Sequence, residues 1–197
     1  MSALTTEHFV LQNAANATVS DAAARSSLYV FALSSSLVAI SFASRSPTIF
    51  VPFVAIVLPG LFLCGLLTIV RLVDTALENL RYLEGIARIR RYYRTLGADA
   101  AEYFAEHHGR WPERRDEPSL AHGPMVALFT TSAGTVAIVN NLVAGVGVAL
   151  LTGELVGRRI GVSLAAGAVA TLALTVAFVG YERWRFRGLN TMTDHDG

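Results

Sequence analysis

The sequence contains no lysine, a single cysteine and few charged residues of either sign. Soluble domains usually carry about a quarter charged residues, whereas 16% of these 197 residues are charged. One cysteine, Cys64, excludes an internal disulfide and a four-cysteine zinc site, and we expect it to be a small packing residue within an apolar run. The net charge of +1 gives no reason to expect a nucleic-acid partner.

The charged residues that are present lie in a few segments, and long windows between them have none. Residues 71–117 hold 18 of the 31 charged side chains. Charges are costly in hydrocarbon and collect in water, so this pattern indicates a bilayer. Crossing a core of about 30 Å takes about 20 apolar residues. The sequence therefore predicts an all-α membrane protein with four transmembrane helices, at Ser26–Ala43, Thr48–Val70, Met125–Leu151 and Ile160–Gly180.

The arginine residues predict the orientation of these helices. Thirteen of the sixteen fall on one side if both termini share that side, and three fall on the other. By the positive-inside rule both termini are then cytoplasmic. Exclusive use of arginine is typical of a high-GC bacterium, so we expect the bacterial inner membrane. The predicted organisation is a cytoplasmic amphipathic segment (1–25), helices 1 and 2 (26–70), a cytoplasmic helical stalk and link (71–124), helices 3 and 4 (125–180) and a cytoplasmic tail (181–197).

Local signals refine the parts outside the membrane. Residues 5–18 could form a short amphipathic helix, and Thr18–Asp21 resembles a capping box that would start a separate helix for the first span. The second span has no stop signal before Gly97, so we expect its helix to continue as the stalk. Asp99 is the expected N-cap of a further short helix ending near His108.

Each of the four spans has a feature near its middle that is unusual in a membrane helix. Three spans have polar residues there, and the second has a predicted helix break. Broken helices and polar side chains at mid-depth often mark a pathway for ions or small solutes. The alternative is that these groups form hydrogen bonds between helices and only hold them together. Asn140 and Asn141 point about 100° apart, so we expect them to face different neighbours, one a helix of the same chain and the other a second subunit or a pore. The candidate pore-lining or inter-helix residues are Ser34, Ser35, Ser36, Pro59, Gly60, Asn140, Asn141, Thr171 and Thr175.

Small residues recur every fourth position in the third and fourth spans, which permits close approach of two helix backbones. We expect the two spans to pack as a tight hairpin, with a contact between subunits as the alternative. The candidate packing residues are Gly145, Ala149, Gly153, Gly157, Gly161 and Ala165.

A basic cluster follows in the stalk at Arg88, Arg90, Arg91 and Arg94. It could bind acidic lipid head groups, a nucleotide or nucleic acid, but pairing with Asp99, Glu102 and Glu106 on the next helix is the simpler interpretation. His107, His108 and His122 lack the spacing of metal ligands. With no phosphate loop or nucleophile motif, we expect no cofactor, no metal and no enzymatic activity.

One segment, Arg71 to Tyr93, resembles the helix that follows a membrane span in uncharacterised four-span membrane proteins of actinobacteria and related bacteria. The resemblance covers this segment only. It implies the predicted topology and no particular function.

Two functions fit these features. The first is a homo-oligomeric channel or pore for ions or small solutes, lined by the polar mid-membrane residues. The second is a membrane-anchored signalling or scaffold protein whose cytoplasmic helical hairpin docks a soluble protein partner.

Overall fold

The chain is described from a computed structural model, which covers residues 2–97, 99, 131–156 and 159–193. In residues 2, 47 and 187–193 only the backbone is described. Four helices are long and apolar enough to cross a membrane, so the chain is a multi-pass, all-helical membrane protein over these residues. The four helices are α1 (Ser2–Ala43), α2 (Pro47–Arg94), α3 (Ser132–Leu155) and α4 (Ile160–Thr193).

Helix α1 is a single helix, and the predicted break at Thr18–Asp21 is wrong. The Thr18 hydroxyl lies 2.7 Å from the Ala15 carbonyl oxygen, one turn earlier, and 3.2 Å from Asn79 Oδ1. The hydroxyl therefore contacts the preceding turn of α1 and the neighbouring helix α2, and it does not cap the start of a new helix. The alanine-rich sequence around it favours an uninterrupted helix because alanine has the highest helix propensity.

Helix α2 continues from the second span to Arg94, as the missing stop signal predicted. Its 48 residues correspond to about 72 Å at 1.5 Å per residue, more than twice the thickness of a bilayer core. Pro52 and Pro59 lie inside it without ending it. The helix closes in a turn in which the Thr95 hydroxyl donates to the Tyr92 carbonyl at 2.7 Å. The 24 residues of α2 after Val70, where the predicted span ends, are more than a single crossing requires.

The chain divides into two compact units. The first, which we call the helical-pair unit, comprises the described residues of Met1–Ala24 and Leu72–Thr131; the second, the four-helix unit, comprises those of Arg25–Arg71 and Ser132–Gly197. Each is built partly from α1 and partly from α2.

In the helical-pair unit, α1 and α2 run antiparallel. Thr5 Oγ1 lies 3.4 Å from Tyr93 Oη, whereas Thr18 lies beside Asn79. Between these two contacts, a Cβ atom placed on Gly85 would lie 3.0 Å from Leu11 Cδ1. Residue numbers therefore rise along one helix as they fall along the other.

The four-helix unit exposes large apolar side chains. Phe31 is 72% exposed, Ile56 75% and Val176 71%. An apolar surface of this kind suits hydrocarbon better than water. Cys64 is also exposed, so the expectation that it packs inside is wrong; α2 turns it outward with its neighbours Leu63 and Leu66.

Candidate functional site

The polar layer is centred on Asn140, which is fully buried in the middle of α3. The Tyr29 hydroxyl of α1 donates to Asn140 Oδ1 at 3.1 Å. Asn140 Nδ2 in turn donates to the Phe62 carbonyl oxygen of α2 at 3.3 Å. One amide side chain therefore joins three helices, using its acceptor for one and its donor for another.

Gly65 makes room for this junction. A Cβ atom at this position would collide with the Asn140 amide and would lie 2.8 Å from Tyr29 Cε2. Gly65 is buried, so no side chain fits between α2 and the amide. Sequence reasoning did not select Gly65, because a glycine in an apolar run has many explanations and nothing in its spacing points to Asn140.

Asn141 faces the other way, toward α4. Its Nδ2 donates to Thr175 Oγ1 at 3.2 Å, and the Thr175 hydroxyl donates to the Thr171 carbonyl at 2.8 Å. The Thr171 hydroxyl lies 3.3 Å from the Asn141 carbonyl oxygen and 3.0 Å from that of Gly167. The two asparagines thus face different neighbours, as predicted, but both neighbours belong to this chain.

The other members of the predicted layer lie elsewhere. Ser34 and Ser35 are exposed and Ser36 is half-buried. Pro59 and Gly60 are also exposed, and a Cβ atom on Gly60 would meet nothing within 4 Å. The structure therefore brings Asn140, Asn141, Thr171 and Thr175 together and adds Tyr29 and Gly65 to them. It leaves Ser34, Ser35, Pro59 and Gly60 exposed, and α2 is not broken at Pro59.

Helices α3 and α4 form a closely packed antiparallel pair. A Cβ atom on Gly145 would collide with the Thr171 hydroxyl and lie 2.7 Å from the Gly167 carbonyl oxygen. One on Gly167 would lie 2.9 Å from Ala149 Cβ, and one on Gly153 would lie 3.4 Å from Ser163 Oγ. The predicted row on α3 therefore lies in the contact.

The predicted row on α4 does not face α3 in this chain, and its alternative, a contact between subunits, stays a prediction. A Cβ atom on Gly161 would meet nothing within 4 Å, and Ala165 is exposed; Gly157 lies outside the described residues. The residues that face α3 are Ser163, Gly167 and Thr171. Ser163 and Gly167 each follow a residue of the predicted row, Gly161 or Ala165, by two positions in the sequence. Sequence reasoning chose the wrong row because glycine, alanine and serine occur on several faces of α4, and small size alone does not fix which face is in contact.

These contacts favour the interpretation that the polar layer holds helices together. Hydrogen bonds between membrane helices contribute about 0.6 kcal/mol on average and up to about 1.7 kcal/mol. Close backbone contact adds van der Waals attraction where small residues let helices meet. Within the described part of the chain, the amide groups of Asn140 and Asn141 are committed to neighbours in the same molecule.

The basic cluster belongs to the helical-pair unit. Arg88 and Arg91 are exposed, and Arg90 and Arg94 are half-buried. Arg90 lines a cavity of about 300 Å³ together with Gln12 of α1 and apolar residues of α2. The acidic residues Glu102 and Glu106, predicted to pair with this cluster, lie outside the described residues.

The expected short helix from Asp99 and the three central histidines lie mostly or wholly outside the described residues. Among the residues that the structure describes, no group of three or more His, Cys, Asp or Glu side chains could hold a metal ion.

Comparison with known proteins gives no relative. No protein-family model matches the sequence, and no curated protein or solved structure is significantly similar to it. The resemblance of residues 71–93 to actinobacterial membrane proteins therefore stays a prediction.

Proposed function

We propose that the protein is a membrane-anchored scaffold, in which the four-helix unit resides in the bilayer and the helical-pair unit docks a soluble partner. The carrying observation is that the buried asparagines are bonded within the chain, whereas α1 and α2 continue into a second packed unit. Polar groups that line a pathway must be able to contact the solute. Polar groups that only hold a membrane anchor together are bonded between its helices, as the buried asparagines are here. We propose a binding role rather than a catalytic one.

The chemistry of the basic cluster supports an acidic partner. Arg88 and Arg91 are exposed on α2 within one turn of each other, and Arg90 lines a cavity with polar groups at Gln12 and Asn16. Guanidinium groups bind carboxylates in a two-pronged geometry, which gives such a surface selectivity for aspartate and glutamate side chains. The proposed partner is therefore a soluble protein with an acidic segment.

Reversing one exposed charge should remove the partner. We expect Arg91→Glu to lower recovery of the partner at least tenfold after chemical cross-linking in native membranes and affinity purification of the full-length chain. Mass spectrometry should map the cross-links of the unmodified protein to an acidic segment. Because Arg91 is exposed, its replacement should leave the fold intact.

Arg81→Glu is the matched control, since Arg81 is exposed on the same helix and the change in charge is the same. It should recover as much partner as the unmodified protein. Undiminished recovery with Arg91→Glu would remove the basic cluster as the docking surface.

The arginine distribution supports a position in the bacterial inner membrane with both termini in the cytoplasm. In that orientation the helical-pair unit is the cytoplasmic stalk and faces soluble partners. Tyr181 and Trp184, whose rings lie 6.4 Å apart near the end of the fourth span, suit the interface on that same side.

A homo-oligomeric channel is the second candidate. It is favoured by one observation, that Ser34 and Ser35 are exposed on the outside of the described part of the four-helix unit, where a second copy could enclose them. In this case Ser35→Leu should reduce ion flux into liposomes that contain the purified protein, and Leu37→Ser, an exchange in the opposite sense at another exposed position, should not reduce it. A monomeric protein that carries no current would contradict the channel.

A further inference from the structure

A groove of about 590 Å³ runs between α2 and α3 in the four-helix unit, with part of α4 beside it. Every residue that lines it is apolar except Glu154, near the end of α3. A single carboxylate in an otherwise apolar groove suggests an occupant that has one charged end and a long apolar part.

The position of Glu154 in the groove follows from how α2 and α3 pair. Asn140 is bonded to the Phe62 carbonyl, and a Cβ atom on Gly147 would lie 3.7 Å from Leu58 Cδ1. The two helices are therefore antiparallel, and the end of the groove at Phe50 is also the end at Glu154. The carboxylate marks one end of the groove, and the level of Asn140 marks the other.

The length of the groove matches that of a hydrocarbon chain in one leaflet. From Phe50 to Phe62 the groove extends about 18 Å along α2, close to the roughly 15 Å of one leaflet. The length of the groove therefore suits an acyl chain that occupies one leaflet, and the carboxylate at its end suits a charged head group.

We infer that the groove binds one acyl chain of a membrane phospholipid whose ammonium head group pairs with Glu154. The groove lies in the segment that crosses the bilayer, so its occupant enters sideways from the surrounding lipid. The Glu154 carboxylate attracts an ammonium group and repels an anionic head group. The expected ligand is phosphatidylethanolamine in preference to phosphatidylglycerol. This site does not depend on the docking function, because it uses a different unit of the chain.

The site can be tested by native mass spectrometry of the full-length protein released from nanodiscs containing equal amounts of the two phospholipids. The unmodified protein should retain one phosphatidylethanolamine in clear excess over phosphatidylglycerol. Gly147→Leu places a side chain into the groove and should lower lipid retention at least tenfold. Glu154→Gln should still retain a lipid, but with the ratio of the two head groups falling to within twofold of one.

Gly161→Leu is the matched control because a side chain there would meet open space, and it should retain lipid as the unmodified protein does. Val148→Phe, which also fills the groove, replaces Gly147→Leu if that variant does not fold. Retention at the unmodified level in the filled variants would overturn the site. A preference for phosphatidylethanolamine that survives Glu154→Gln would overturn the role of the carboxylate, and a dimer in place of the bound lipid would identify a second copy as the occupant.

Discussion

Replacing Gly65 by leucine should lower the free energy of unfolding of the four-helix unit by about 3 kcal/mol, the upper end of the usual cost of overpacking. The first side-chain atom alone would collide with the Asn140 amide. Asn140 would have to leave its position between Tyr29 and Phe62, so the variant loses two inter-helix hydrogen bonds as well as the fit. Unfolding by SDS titration in detergent micelles measures the change.

Gly60→Leu provides the control for this prediction. Gly60 lies on the same helix five residues earlier, and a Cβ atom there would meet nothing within 4 Å. We therefore expect its free energy of unfolding to change by less than about 0.5 kcal/mol, as for other exposed substitutions. Equal losses at Gly60 and Gly65 would mean that leucine disturbs α2 itself and that the junction at Asn140 is not the cause.

Replacing Gly145 by leucine should separate α3 from α4. The new Cβ atom would collide with the Thr171 hydroxyl and lie 2.7 Å from a backbone atom, the Gly167 carbonyl oxygen. A flexible side chain can turn away, but a backbone carbonyl moves only if the whole helix moves. We expect a loss of about 3 kcal/mol and a weaker bond between Asn141 and Thr175.

The distance between the two helices can be followed with spin labels on exposed positions of α3 and α4, measured by pulsed electron resonance. Gly145→Leu should lengthen it, and Gly161→Leu, in the same hairpin but against open space, should not. If neither the distance nor the stability changes in Gly145→Leu, the close contact at Gly145 does not hold the hairpin together.

The number of spans and the long helix α2 could be predicted because they follow from single-chain properties: apolar length and the absence of stop signals. The same reasoning failed at Thr18–Asp21, because the capping pattern lies inside an alanine-rich segment that is helical on both sides. Capping motifs describe the first turn of a helix only when the chain before them is not already helical.

The polar layer could be predicted in part. Asn140, Asn141, Thr171 and Thr175 were found from their depth in the spans, and depth is readable from the sequence. Which face of a helix meets a neighbour is not, because it depends on how the helices rotate about their axes. This is why exposed serines in α1 were grouped with buried asparagines in α3, and why the row at Gly161 was chosen for α4 where Gly167 makes the contact.

The junction at Asn140 also constrains the order in which the protein assembles during synthesis. Its amide is bonded by residues of α1 and α2, which leave the ribosome before α3, while the Asn141 amide is bonded by α4, which leaves after α3. Helices in a bilayer form first and associate afterwards, so α3 enters the membrane with one asparagine able to bond at once and another that must wait. The partners of Asn140 thus precede α3 in the chain and can bond it before α4 is made, whereas Asn141 has its partner only once α4 is present.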